Sequence, residues 1–114
     1  MTPLPDTLTR EILLSFWKVH ILYHAAERPI YGHWITVELR RHGYNISPGT
    51  LYPLLRRMES HGWLKCKSRP DAGIHARKEY RLTKEGAKIL ALLRVQIAEL
   101  HREVIEEERQ PQKQ

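Results

Sequence analysis

The pair Ser47-Pro48, followed by Gly62, constrains this chain more than any other feature. Serine can accept the free N–H groups of a first helical turn, and proline at the first helical position gives up no hydrogen bond. Glycine most readily takes the left-handed conformation that ends a helix. A short helix from Pro48 to about His61 is therefore predicted, with Leu51, Leu55 and Met58 at i, i+4, i+7 as one apolar stripe. Ser47, Gly49 and Thr50 keep its N-terminal end slim, and Thr50, Tyr52, Arg56 and Arg57 face away from the core. Pro53 conflicts with this pattern. It has no N–H to give Gly49, so the first turn should be irregular, or regular helix should begin nearer Thr50.

Similar marks cut the rest of the chain. Residues 1–6 carry two prolines and no periodic pattern, and read as a flexible arm. Thr7 or Thr9 can cap a first helix running to about Ala26, where Glu27-Arg28-Pro29 ends it. Its apolar residues, from Leu8 and Ile12 through Phe16 and Trp17 to Tyr23, cover more than one stripe, so it should be covered on two sides. Gly32 opens a second helix, His33 to His42, stopped by Gly43, and Tyr44-Asn45-Ile46 reads as a short extended piece. Trp63 to Arg69 alternates apolar Leu64 and Cys66 with Lys65, Lys67 and Arg69, the period of a half-buried strand. Pro70-Asp71-Ala72-Gly73 is turn chemistry, and Ala76 to Leu82 returns with Tyr80 and Leu82 inward. Thr83 caps a last helix to about Glu108, and Gln110 to Gln114 should fray. In that helix Leu90, Leu93, Ile97, Leu100 and Val104 are spaced 3, 4, 3, 4, the seam of a helix that meets another lengthwise.

The fold class is thus mainly α with a small β-hairpin. The 114 residues allow one domain, and carry 19 Lys and Arg against 13 Asp and Glu, a net +6. The excess lies between Arg56 and Arg94, with eleven cations against four acids, while Glu99 to Glu108 holds five glutamates and one arginine. A single cysteine, Cys66, excludes an internal disulfide framework and fits a reducing compartment. No apolar run approaches the roughly 20 residues that span a bilayer. The start, Met1-Thr2-Pro3-Leu4-Pro5-Asp6, lacks the basic n-region of a signal peptide, so a cytoplasmic protein with no membrane partner is expected.

Three helices, a basic hairpin and a long helix make a helix-turn-helix followed by a wing. Such an arrangement puts the third helix in the major groove of double-stranded DNA and the hairpin on the flanking backbone or minor groove. The run Ser47-Pro48-Gly49-Thr50-Leu51-Tyr52-Pro53-Leu54-Leu55 with Met58-Glu59 and Gly62, the turn Tyr31-Gly32, and Arg77-Lys78-Glu79-Tyr80-Arg81-Leu82-Thr83-Lys84-Glu85-Gly86 together resemble the PadR-like transcriptional regulators. The resemblance covers about residues 10 to 105. It implies a prokaryotic winged-helix homodimer of the short type that binds a palindromic operator and usually represses. Residues 7–82 would be the winged helix-turn-helix and 83–108 the dimerisation helix, with 109–114 a flexible tail. Some small members of the family stack flat aromatic drugs on a tryptophan of the terminal helix. This chain has no aromatic residue from Arg81 onward, so that site does not carry over.

The expected DNA-binding residues are Ser47, Gly49, Thr50, Tyr52, Arg56 and Arg57 on the third helix and Arg69, Arg77 and Lys78 on the wing. The expected dimer interface is Ile12, Phe16 and Trp17 with Leu90, Leu93, Ile97, Leu100 and Val104. A pocket where the first helix meets the partner's last helix, lined by Phe16, Trp17, His20, Leu93 and Ile97, would suit a small planar or apolar effector. His20 and His24 lie one turn apart and could share a metal in a metal-responsive regulator. They lack the intervening glutamate of a metallopeptidase motif, and interface or capping histidines are the favoured reading. Cys66, beside Leu64, reads as a buried structural thiol, with redox sensing a minor alternative. No Ser-His-Asp order, phosphate loop or carboxylate pair rises above chance, so an enzyme is the least favoured class and no cofactor is expected. The competing binding class is a winged helix used only as a protein-interaction module, which has no need of Arg69, Arg77 and Lys78 along one rim.

Overall fold

The computed structural model describes residues 6–68 and 77–107. The arm before residue 6, the tail beyond 107, the turn Pro70-Asp71-Ala72-Gly73 and Arg69 lie outside the described residues. Among the described residues four helices and three short strands follow one another: α1 (Asp6–Glu27), β1 (Ile30–Tyr31), α2 (Gly32–Arg41), α3 (Pro48–Ser60), β2 (Leu64–Ser68), β3 (Lys78–Leu82) and α4 (Lys84–His101). A π-helical segment, Arg102–Glu106, continues α4, and His101 meets Glu106 at 3.3 Å across that wider turn.

Glycine ends both central helices in the same way. At the end of α2 the Gly43 N–H donates to the Arg40 carbonyl and the Tyr44 N–H to that of Leu39, with Gly43 at φ +92°. At the end of α3 the Gly62 N–H donates to Glu59 and the Trp63 N–H to Met58, with Gly62 at φ +82°. These paired bonds satisfy carbonyls that the helix itself leaves free. Tyr44-Asn45-Ile46, in the six-residue link between the helices, belongs to no helix and pairs with no strand. It follows the glycine cap, and Arg40 holds it by donating to the Ile46 carbonyl at 3.3 Å.

The Pro53 conflict resolves in favour of the helix, which runs unbroken from Pro48 to Ser60. The bond that Pro53 cannot make belongs to the carbonyl of Gly49, an exposed residue, where water can replace the missing N–H. Ser47 does not cap with its side chain. Its carbonyl accepts from Thr50 and Leu51, while its hydroxyl turns toward the Thr50 hydroxyl at 3.4 Å.

The sheet has the order β1-β3-β2, all antiparallel. The sequence gives no sign of β1, because two residues carry no period. Pairing of Ile30 with Tyr80 and Tyr31 with Glu79 makes it a strand and anchors the chain between α1 and α2 to the hairpin. Where α4 begins, the Thr83 hydroxyl accepts from the Gly86 N–H at 2.9 Å, as its capping role requires. A Cβ at Gly86 would lie 2.1 Å from the Trp63 carbonyl, so only glycine lets the hairpin and α4 come together this closely.

One core joins α1, α2, α3 and the sheet: Leu13, Trp17, Ile21, Ile35, Leu39, Leu51, Leu55, Met58 and Tyr80 are all buried. Leu90 is the one buried apolar side chain of α4 among the described residues. Beyond it α4 runs out from the body, and the radius of gyration is 16.4 Å, against roughly 13 Å for a compact chain of this length.

Candidate functional site

The outer side of α3 is the first candidate. Leu51, Leu54, Leu55 and Met58 are wholly buried, so the helix is fixed by one face and offers the other. Ser47, Gly49, Arg56 and Arg57 are exposed and Thr50 is half-exposed. A Cβ at Gly49 would touch only the Ser47 hydroxyl, at 3.8 Å, so the space around the helix start is open. Pro48 has no N–H and those of Thr50 and Leu51 go to the Ser47 carbonyl, so the start offers an anion the Gly49 N–H and a positive dipole end. Tyr52 is exposed like its neighbours on this side and also packs: a Cβ at Gly32 would lie 2.3 Å from its ring, so Tyr52 braces α3 against the start of α2 while staying 36 % exposed.

The wing supplies cations on both faces of the hairpin. Lys65 faces Arg81, Lys67 faces Glu79 and Ser68 faces Lys78 across the β2–β3 ladder. Because side chains alternate, Lys65, Lys67 and Arg81 share one face, while Lys78 shares the other with Tyr80. Arg77 lies over the Tyr31 ring, its guanidinium carbon 4.3 Å from the centroid. Tyr31 in turn donates to Glu79 at 3.3 Å. The Arg81 bond holds the Glu79 carboxyl below its usual range, with smaller help from Tyr31 and Lys67. Tyr80 is pushed up to about 12, first by burial and then by Cys66, with Glu59 and Arg56 of α3 also felt. Cys66, opposite Tyr80, is half-buried instead of fully enclosed, since β2 is an edge strand. The alternation of β2 puts Lys65 and Lys67 on one face in the sequence alone, but that Arg81 joins them depends on the strand register.

The second candidate is a cleft of about 1100 Å³ between α1 and α4, floored by α2 and the turn after it. Phe16, His20, Leu93 and Ile97 line it as expected, and Leu100 and Val104 join them. Trp17 does not. It is 2 % exposed, edge-on to Tyr44 at 6.1 Å, because Leu13, Trp17 and Ile21 form the inner stripe of α1 while Ile12, Phe16 and Tyr23 form the outer one. Trp17 therefore belongs to the core and offers nothing to a partner or an effector. Leu90 is buried within the protomer as well, but at the edge of the cleft, which it helps to line. Ile12, Phe16, Ile97, Leu100 and Val104 remain exposed.

The floor of this cleft gathers charge that the sequence scatters. His20 and His24 stack at 6.3 Å, His42 lies 5.0 Å from His20, and one ligand atom from each of the three lies within 4.8 Å of the others. Glu38 accepts from Arg41 at 2.9 Å, and the same oxygen lies 3.2 Å from His42 Nε2 and 3.6 Å from His24 Nε2. Arg41 holds the Glu38 carboxyl below its usual range, with His42 and His24 adding to it. Burial pushes His20 below its ordinary value, with His42 and His24 adding to the shift. His42 is brought here by the Gly43 cap, a juxtaposition that no spacing in the sequence reveals.

The model of the family described as "Transcriptional regulator PadR-like family" matches residues 21–92. The chain is 46 % identical over 96 residues to the transcriptional regulator Rv3488 of Mycobacterium tuberculosis, covering 84 % of this chain and 89 % of that protein. Among solved structures, a PadR family transcriptional regulator from Eggerthella lenta is 32 % identical, with a TM-score of 0.69 over 87 % of this chain and 90 % of its own. A PadR-like transcription factor from Bacteroides fragilis is 26 % identical, with a TM-score of 0.73 over 87 % and 96 %.

Proposed function

Because the chain belongs to the PadR-like family of transcriptional regulators, a family of winged-helix DNA-binding proteins and not of enzymes, we propose that it is a repressor that binds a palindromic operator as a homodimer. The observation that carries the reading is the division of α3: its apolar side chains are wholly buried, and its outer side presents Arg56 and Arg57 beside a hairpin bearing Lys65, Lys67, Arg77 and Lys78. Ser47, Gly49 and Thr50 let the helix start approach a phosphate, and Arg56 reaches a base edge or the adjoining backbone. The wing cations hold the flanking backbone, and Arg69 is proposed among them on its sequence alone. The two subunits meet through the outer stripe of α1 and the exposed seam of α4. Half-sites read by two such helices lie roughly 34 Å apart when one DNA turn separates them. The cleft between α1 and α4, closed by the partner's α4, suits a small apolar or aromatic effector that loosens operator binding by favouring one dimer shape.

The test is a titration of duplex DNA with purified protein at several salt concentrations. The logarithm of affinity should fall linearly with the logarithm of salt, as cation–phosphate contacts require. Salt-independent binding would contradict the assignment of the wing cations to phosphate, and no binding to any duplex would contradict the whole reading and favour a role in protein interaction alone.

A further inference from the structure

We propose that His20, His24 and His42, with Glu38, form a binding site for one divalent transition-metal ion of the zinc, cobalt or nickel class. The donors come from two parts of the fold: His20 and His24 from adjacent turns of α1, Glu38 from α2 and His42 from the residue that caps it. Glu38 Oε2 lies 3.6 Å from His24 Nε2 and 3.2 Å from His42 Nε2. Ligand atoms around a tetrahedral zinc with bonds of about 2.0 Å stand about 3.3 Å from one another, so these spacings already match two edges of such a site. One nitrogen from each of the three imidazoles lies within 4.8 Å of the others.

His24 supplies an independent sign. Its side chain is 10 % exposed, and its Nδ1 has no hydrogen-bond partner, although Glu27 Oε1 stands 3.6 Å away. A buried imidazole with an unpaired nitrogen is costly. Ligation through Nε2 fixes the proton on Nδ1 and aims it at Glu27, the outer carboxylate that metal-bound histidines commonly carry. The Tyr44 hydroxyl, 3.3 Å from His20 Nε2, steadies the second ring in the same way. Arg41, the present partner of Glu38, is largely exposed and free to release it. Imidazole and carboxylate donors select zinc, cobalt or nickel over magnesium or calcium, and the absence of thiolate disfavours copper(I).

An ion here ties α1, the helix of the outer apolar face, to α2, the helix that precedes α3. Occupancy biases the angle between dimer face and recognition helix by the ion's differential affinity for the two arrangements. This consequence rests on the proposed function, whereas the site itself does not.

The experiment uses the full chain, free of any tag and stripped by a chelator. Cobalt(II) is titrated in and followed by its visible absorption, and zinc(II) is titrated against a chromophoric chelator. One ion per chain is expected, with the cobalt bands of imidazole–carboxylate coordination. His42→Ala, at the rim of the cleft, should weaken zinc binding by more than the roughly ten- to hundredfold that loss of an outer partner costs. His33→Ala, an exposed site on the same helix as Glu38, should change nothing. If circular dichroism shows that His42→Ala is unfolded, Glu38→Gln replaces it with the same direction expected. No stoichiometric binding, or wild-type affinity in the folded variant, overturns the site. Metal binding that leaves duplex affinity unchanged keeps the site and overturns its regulatory consequence. Metal binding by a protein that binds no duplex tells against the DNA reading alone.

Discussion

Helices α3 and α4 carry similar apolar residues and use them in opposite ways. In α3, Leu51, Leu54, Leu55 and Met58 are all enclosed by the chain's own core, and what is left outside is polar and cationic. In α4 only Leu90 is enclosed, while Leu92, Val95, Ile97, Leu100, Val104 and Ile105 along it and its π-helical extension are about half or more exposed. A helix whose apolar stripe is consumed within the protomer is free to meet a charged, hydrated partner. A helix whose stripe is left over needs an apolar partner, and exposed patches of that size mark interaction sites. The outer stripe of α1, with Ile12 and Phe16, lies beside α4 and extends the same surface.

Four variants separate these roles, from the largest effect down. Leu93→Lys with Leu100→Lys should give unfolded or aggregated protein and no stable monomer, since obligate dimers often lack one. Sedimentation of a well-folded monomeric double variant would break the comparison. Leu55→Ala, in the enclosed face of α3, should cost about 2–5 kcal/mol, read as a lower denaturation midpoint with unchanged slope. Arg56→Ala should leave stability intact and cost about 1–3 kcal/mol of operator binding, with specificity relaxed at one position. An equal loss on unrelated sequences would place Arg56 on a phosphate instead. Lys78→Ala should have the smallest effect, weakening binding to all duplexes and reducing the salt slope by about one.

Most of the fold was legible because its boundaries are made by residues with few alternatives. Gly43 and Gly62 end helices where a positive φ is needed, and Thr83 caps α4 through its own hydroxyl. What the sequence hid depends on register or on long-range approach. Strand β1 exists only through its pairing with Tyr80 and Glu79. Trp17 and Phe16 are neighbours in sequence, and only the packed direction of α1 assigns one to the core and the other to the surface. His42 joins His20 and His24 across a glycine cap. Of the candidate site, the cations of α3 and the wing could be read from periodicity. The bracing of Tyr52 against Gly32 could not, because it links two elements through one missing Cβ.

Selection of binding sequences from a random duplex pool by the purified full chain, with the stoichiometry of the selected complex measured, tests the central claim most directly. An enriched inverted repeat, with half-sites about one helical turn apart and two chains on each duplex, is the predicted result. An unstructured pool, or a single half-site held by one chain, would contradict it.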